Sequence, residues 1–280
     1  MKGAKDWREM IGWSSLWLAA GLSVLSLGAI LWYILSRGLS AVSLEFLTQA
    51  PRRLGSEGGI FPTIVSTLYV TAVAMAMAVP VSLGTAIYLR EYMRPSPAER
   101  LIRFSLQVLA GIPSIVFGLF GFTFFVIKLR MGFSVVAGGL TLAIMVLPTL
   151  IRAFEEAIAT VPREYREASL ALGADRWQTV RRIVLPTANP GLLTGIVLAI
   201  GRAVGESAAV ILTAGSAMRM PVFPTDQART MTVHLYILAT EGLSDVHAYG
   251  TAAVLIVMVL LLNQLTTVTR ARRRGEPRTR

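Results

Sequence analysis

The chain has 280 residues, of which 54% are hydrophobic and only 15% charged, with a mean hydropathy of +0.61. A soluble domain carries about a quarter charged residues, so the composition excludes an ordinary soluble enzyme and points to a polytopic membrane protein. There are no cysteines, which excludes thiol catalysis, disulfides, S-palmitoylation and thiolate metal sites.

Six apolar runs are long enough to cross a bilayer core as helices: about 13–35, 64–89, 105–127, 135–151, 191–214 and 248–269, the fourth being the shortest. The expected fold class is therefore all-α, with six transmembrane helices. The first run follows Lys2, Lys5 and Arg8, yet it is too long for a signal-peptide core and lacks a small-x-small exit, so it reads as a retained helix. Residues 1–12 are then an N-terminal segment, 13–269 the membrane domain and 270–280 a basic tail.

The formal charge of +11 is unevenly placed. The N-terminus, the second and fourth loops and the tail hold nineteen of the 27 Lys and Arg residues, the first, third and fifth loops seven, and Arg202 lies inside a run. The positive-inside rule puts both termini and the fourth loop in the cytoplasm, and an even helix count requires the termini to agree. The tail suits anchorage on a lipid surface, and no nucleic-acid partner is expected.

In chain order, the loop 37–62 contains Gly38, Pro51, Gly55, Gly58, Gly59 and Pro62. It is expected to be an irregular external connection with one short helix near 44–48. The second helix carries Pro80, and the third carries Gly111-Ile112-Pro113-Ser114, then Gly118 and Gly121. Packing kinks and moving hinges both fit these residues.

The fourth loop, 152–190, is the long polar one. Pro162 suits the start of a helix over 163–172, which Gly173 ends with a left-handed cap. Asp175 and Gln178 have capping-box spacing for a second helix through 184 that Pro186 stops. Tyr165, Ser169 and Leu172 share a face beside Arg163, Arg166 and Glu167. A loop resting on headgroups would explain the arginines but not that face, which suits a partner's groove.

In the fifth helix Arg202 and Glu206 stand four residues apart, on one helix face. Each costs about 2.5–3.5 kcal/mol at the centre of a lone membrane helix. Gly195, Ala199, Ala209 and Thr213 follow the same spacing and turn the pair toward a helix interface or a polar passage. Gly191 with Gly195, and Gly201 with Gly205, allow close approach. The pair is then either a self-neutralised strut or a transient anion site, in which the arginine fork suits phosphate oxygens and the glutamate lets the anion leave.

The external loop 215–247 contains Pro221 and Pro224, then a short interfacial helix expected over 231–238. His234, Glu241, Asp245 and His247 match no metal-ligand spacing, and no cofactor is expected. The chain has no G-x-x-x-x-G-K-[ST] sequence, so any ATP that drives it is hydrolysed by another subunit, and no catalytic residue is assigned.

Glu167-Ala168-Ser169, then Gly173 and, further on, Ile183-Val184-Leu185-Pro186 resemble the cytoplasmic EAA loop of type I ABC importer permeases. Over about 58–269 the chain resembles the PstA-type permease subunits of bacterial phosphate ABC importers. The carriers are Gly59-Ile60-Phe61-Pro62-Thr63, Ala86-Ile87-Tyr88-Leu89-Arg90-Glu91, Pro113-Ser114-Ile115-Val116, the EAA loop, Arg202-Ala203-Val204-Gly205-Glu206-Ser207 and Leu235-Tyr236-Ile237-Leu238-Ala239-Thr240-Glu241. Ser207 stands where threonine is more usual, and Ala208-Ala209 where Ala-Pro is expected.

The resemblance implies a six-helix inner-membrane permease with no catalysis of its own. Arg163, Glu164, Tyr165, Glu167, Ala168, Ser169, Leu172 and Gly173 would couple to the ATPase, and Arg202, Glu206 and Ser207 would line the substrate pathway. The implied partners are a homologous PstC-type permease, two copies of an ATP-binding cassette ATPase and an extracytoplasmic phosphate-binding protein. Rival readings are the same architecture serving molybdate, sulfate or phosphonate, and a self-contained proton-coupled carrier with Glu206 as relay.

Overall fold

A computed structural model describes residues 3–273, and the side chains of 3–6, 8, 11 and 265–273 are not described; Met1, Lys2 and residues 274–280 of the basic tail lie outside it. The chain is helical, with α1 (Gly3–Gly38), α2 (Leu44–Thr48), α3 (Phe61–Ile87), α4 (Pro97–Gly111), α5 (Ser114–Gly121) and α6 (Val135–Ala159) in the first half. The second half holds α7 (Arg163–Ala171), α8 (Arg176–Thr179), α9 (Leu185–Val204), α10 (Ala208–Ile211), α11 (Met231–Thr240) and α12 (Asp245–Arg273). Among the described residues five helices are long and apolar enough to cross a membrane, six if one bent pair counts as a single span.

The organising helix is α6. Ser134 caps it by accepting from the Ala137 N–H at 3.2 Å. A helix that is apolar all round belongs in an interior, and Leu142, Met145, Val146, Leu150, Phe154 and Ile158 are all buried. Two-thirds of its apolar stretch is enclosed by the rest of the chain, against none of α1. Helix α1 touches the bundle at its C-terminal end, where the Arg37 guanidinium lies 4.6 Å from the Tyr33 ring centre and Tyr33 meets Tyr249 of α12 edge-on.

Small residues let α9 lie against α6. A Cβ on Gly191 or Gly195 would come within 2.6 Å and 2.9 Å of the Ala157 and Ala153 Cβ atoms. The expected second pair behaves differently: nothing approaches Gly201, and Gly205 meets only its own helix.

Two expected spans are broken. The run 105–127 is not one helix: α4 and the stretch Ser114–Lys128 meet at 99°. Pro113 disfavours helical geometry at the residue before it, and Ile112 is extended there, at φ −71° and ψ 132°. Helix α4 has no buried residue, and an ion pair at 3.1 Å from Arg103 to Glu155 ties it to α6.

The run 191–214 also breaks, because α9 ends at Val204 and the chain restarts as α10. At its other end, Pro186 does not stop the helix as expected. Helical structure is continuous over Arg176–Val204, and a π-turn at Val180–Val184 widens the backbone just ahead of the proline. Such a turn relieves the clash that a proline ring makes with the preceding turn.

The end of the bundle where α1 finishes and α3 begins is closed by the loop 39–60 and by α11. The short helix expected near 44–48 forms as α2, capped by Ser43. Helix α11 is not interfacial: Met231, Thr232, Val233, His234, Ile237 and Leu238 are buried. Its first N–H, from Met231, donates to Thr67 Oγ1 of α3 at 2.9 Å. Beneath the loop, Arg229 donates to the Ser216 and Leu54 carbonyls and lies 3.3 Å from His234 Nδ1.

Burial, then the charge of Arg229, then His247, push the His234 pKa down from 6.5 to about 4. The folded chain therefore resists protonation there while the unfolded chain does not. Stability should be full above pH 6.5, fall as pH drops toward 4 and level off below. Replacing His234 with glutamine should flatten that fall, as read from melting temperature against pH in detergent; a wild-type slope in the variant would exclude His234 as its cause.

Candidate functional site

Two places hold the residues singled out in the sequence: the polar turn at α7–α8 and the break between α9 and α10. The first was legible in local signals. Pro162 precedes α7 and Leu172 caps it. Gly173 N–H donates to the Leu170 carbonyl at 3.0 Å and Ala174 N–H to the Ser169 carbonyl at 3.2 Å. This is the paired closure of a Schellman cap, and it requires the positive φ of 86° that Gly173 adopts. Asp175 and Gln178 form the reciprocal capping box at the start of α8.

Arg163, Glu164, Tyr165, Glu167, Ala168 and Leu172 are exposed, with Leu172 the extreme at 90%. Ser169 turns inward, 2.9 Å from Thr179 Oγ1, which fastens α7 to α8. Tyr165, Ala168, Ser169 and Leu172 line an open groove of about 520 Å³ with Gln178 and Ile183. An apolar tip on a rigid, capped turn is a surface that a partner can grip. Arg166, alone among the charges of α7, points back into the protein.

The second place corrects an expectation. Arg202 and Glu206 do not share a helix face, and no ion pair joins them among the described residues. The helix stops between them: Gly205 N–H returns to the Gly201 carbonyl and Glu206 N–H to the Ala203 carbonyl. Glu206 Oε1 then accepts from the Ala209 N–H at 3.2 Å, so its carboxylate serves the first turn of α10. Its carbonyl accepts from Thr232 Oγ1 of α11 at 2.8 Å. Ser207 is the half-exposed N-cap of α10, and its side chain makes no capping bond.

Arg202 is exposed and donates to Thr149 Oγ1 of α6 at 3.3 Å. The buried face of α9 is the neighbouring one, through Gly195, Ala199 and Ala203. The expected stripe through Arg202, Ala209 and Thr213 does not exist, because α10 is a separate helix. Thr149 and Thr232, the partners that close this site, follow no spacing that relates them to it.

A family model described as binding-protein-dependent transport system inner membrane component matches residues 78–274. The chain belongs to that family. The match takes in both places described above. Among its relatives is phosphate transport system permease protein PstA 1 of Mycobacterium tuberculosis, 36% identical over 258 residues that cover 89% of this chain and 83% of that one. Another is phosphate transport system permease protein PstA of Haemophilus influenzae, 30% identical over 267 residues, 93% and 94% of the two chains. In the crystal structure of a bacterial ABC transporter involved in alginate import, the superposed chain gives a TM-score of 0.62 at 16% identity, covering 94% of this chain and 99% of that one. The fold of this family member is thus that of type I ABC importer permeases.

The cap at Gly173 yields a test. No atom stands within 4 Å of an added Cβ there, so a substitution meets backbone strain alone, about 1–2 kcal/mol for a left-handed L-residue. Gly173→Ala should speed amide exchange at 172–174, and the β-branched Gly173→Val should speed it further. Unchanged exchange in both variants would show that the turn does not depend on glycine.

Proposed function

We propose that this family member is the PstA-type permease subunit of an ATP-driven phosphate importer. It forms half of the translocation pathway with a homologous PstC-type permease. Two copies of an ATP-binding cassette ATPase hydrolyse ATP and dock on the surface made by Arg163, Glu164, Tyr165, Glu167, Ala168, Ser169, Leu172 and Gly173. A phosphate-binding protein delivers the solute from outside. The observation that carries this reading is end-to-end similarity to permeases named for phosphate transport, at 36% and 30% identity.

The geometry at the α9–α10 break supports it. An arginine on the exposed face of an apolar span is costly against lipid, and among the described residues Arg202 has a single neutral hydrogen-bond partner, Thr149. Such a fork suits a tetrahedral oxyanion passing along a face shared with a second permease. Ser207 and Glu206 flank the same break, Ser207 offering a hydroxyl and Glu206 holding the backbone open.

In this arrangement both termini and α7 face the cytoplasm, with the segments 1–12 and 270–280 outside the membrane domain. A cysteine at Leu172 should resist impermeant thiol reagents in intact cells, and one at Thr225 should label. Labelling of the Leu172 position from outside would invert the orientation and remove the docking surface with it.

The functional test is ATP hydrolysis by the reconstituted complex with its binding protein. Phosphate should stimulate it, and molybdate, sulfate and phosphonate should not; stimulation by one of those instead would reassign the substrate. Arg202→Gln should abolish uptake with the complex intact, since its removal strands no paired carboxylate. Wild-type uptake by that variant would place Arg202 outside the pathway.

A further inference from the structure

Arg166 is the charge on α7 that the docking surface leaves unused. Its side chain is 20% exposed, and its ion-pair partner, Glu91, is 14% exposed. Nη2 donates to Glu91 Oε1 at 2.8 Å, and Nε is shared between the two carboxylate oxygens at 3.2 Å and 3.3 Å. The remaining N–H groups meet carbonyls beyond and within the last turn of α6: Nη2 that of Ile158 at 3.0 Å, Nη1 those of Val161 at 2.6 Å and Pro162 at 3.3 Å. All five guanidinium hydrogens therefore have an acceptor.

Each half of this arrangement has a local cause. A helix C-terminus leaves carbonyls without partners and carries partial negative charge, so a cation is stabilised there. Glu91 reaches the site because α3 ends in a π-turn at Tyr88–Tyr92, closed by Met93 N–H on the Tyr88 carbonyl at 2.9 Å. With Leu89 buried and Arg90 exposed, that turn brings Glu91 to the inner side. Among the described residues Arg166 makes the hydrogen bonds that join α7 to the ends of α3 and α6; the Ser169–Thr179 bond reaches only α8.

We propose that Arg166 and Glu91 form the joint through which displacement of α7 reaches α3 and α6. Arg166 is a positioning residue in this role, and the inference rests on the ATP-driven reading above. The fork is planar and engaged on three sides, so α7 does not slide along the membrane domain without carrying both helix ends. A flexible lysine would keep the charge and lose that geometry.

The test uses the full complex of permeases, ATPase and binding protein in proteoliposomes, reading phosphate imported per ATP hydrolysed. Phosphate-stimulated hydrolysis in the wild type comes first, and its absence defeats the functional reading whatever Arg166 does. Given that, Arg166→Ala and Glu91→Gln should assemble and hydrolyse ATP while the ratio falls about tenfold, within the usual range for coupling between sites. The double variant should be no worse than either single one, as for two halves of one device. Arg166→Lys should stay low, and Glu156→Gln, an exposed acid nearby, should match the wild type.

A wild-type ratio in Arg166→Ala would overturn the proposal. So would loss of the ATPase on purification from Arg166→Ala alone, which would make Arg166 a docking contact. If that variant does not accumulate, Glu91→Gln decides, since it leaves the guanidinium on the α6 carbonyls; a wild-type ratio there overturns the joint.

Discussion

A backbone N–H or C=O in hydrocarbon finds no water, so every interruption of a membrane helix must be closed by the protein itself. That constraint explains why this chain's breaks sit where they do. At the α9–α10 break the Glu206 carboxylate takes the Ala209 N–H, and Thr232 takes the Glu206 carbonyl. At the start of α6, Ser134 N–H donates to the Thr213 carbonyl and Val135 N–H to that of Asp226. The Glu206–Ala209 closure is local, but the other three join distant segments, tying α11 to the α9–α10 break and the chain beyond α10 to the start of α6. Breaks are thereby turned into tertiary contacts.

The same logic separates what was legible in the sequence from what was not. The α7–α8 turn was read correctly down to its capping box, because Pro162, Gly173, Asp175 and Gln178 act on neighbours a few residues away. The short helix expected near 44–48 also formed, and its cap is as local: Ser43 accepts from the Phe46 N–H. Hydropathy found the apolar stretches but not their continuity. A window over 105–127 scores alike whether Pro113 kinks the helix or turns it by a right angle, and the outcome depends on α4 finding Glu155 through Arg103.

The fifth run failed for a related reason. Spacing places residues 202 and 206 on one face only if the helix persists, and neither glycine nor glutamate announces a stop. The stop is stabilised by Thr232, 26 residues beyond Glu206, which no periodicity connects to it. The π-turn ahead of Pro186 was equally invisible, and it allowed a proline that reads as a terminator to sit inside a continuous helix. Arg166 stood in plain view among its neighbours, yet its inward direction depends on Glu91, far away in the sequence.

If Arg202 lines the pathway, as proposed above, its separation from Glu206 changes the chemistry of release. An arginine whose charge is balanced by a carboxylate on the same face would hold an oxyanion weakly from the outset. Here Glu206 is engaged at α10, and among the described residues Arg202 hydrogen-bonds only a threonine hydroxyl. A fork left with free N–H groups binds an oxyanion through charge-assisted, bidentate hydrogen bonds, whereas conduction requires binding loose enough to let go. On that reading release comes from a change in surroundings, which a permanent ion pair on one helix face would not need.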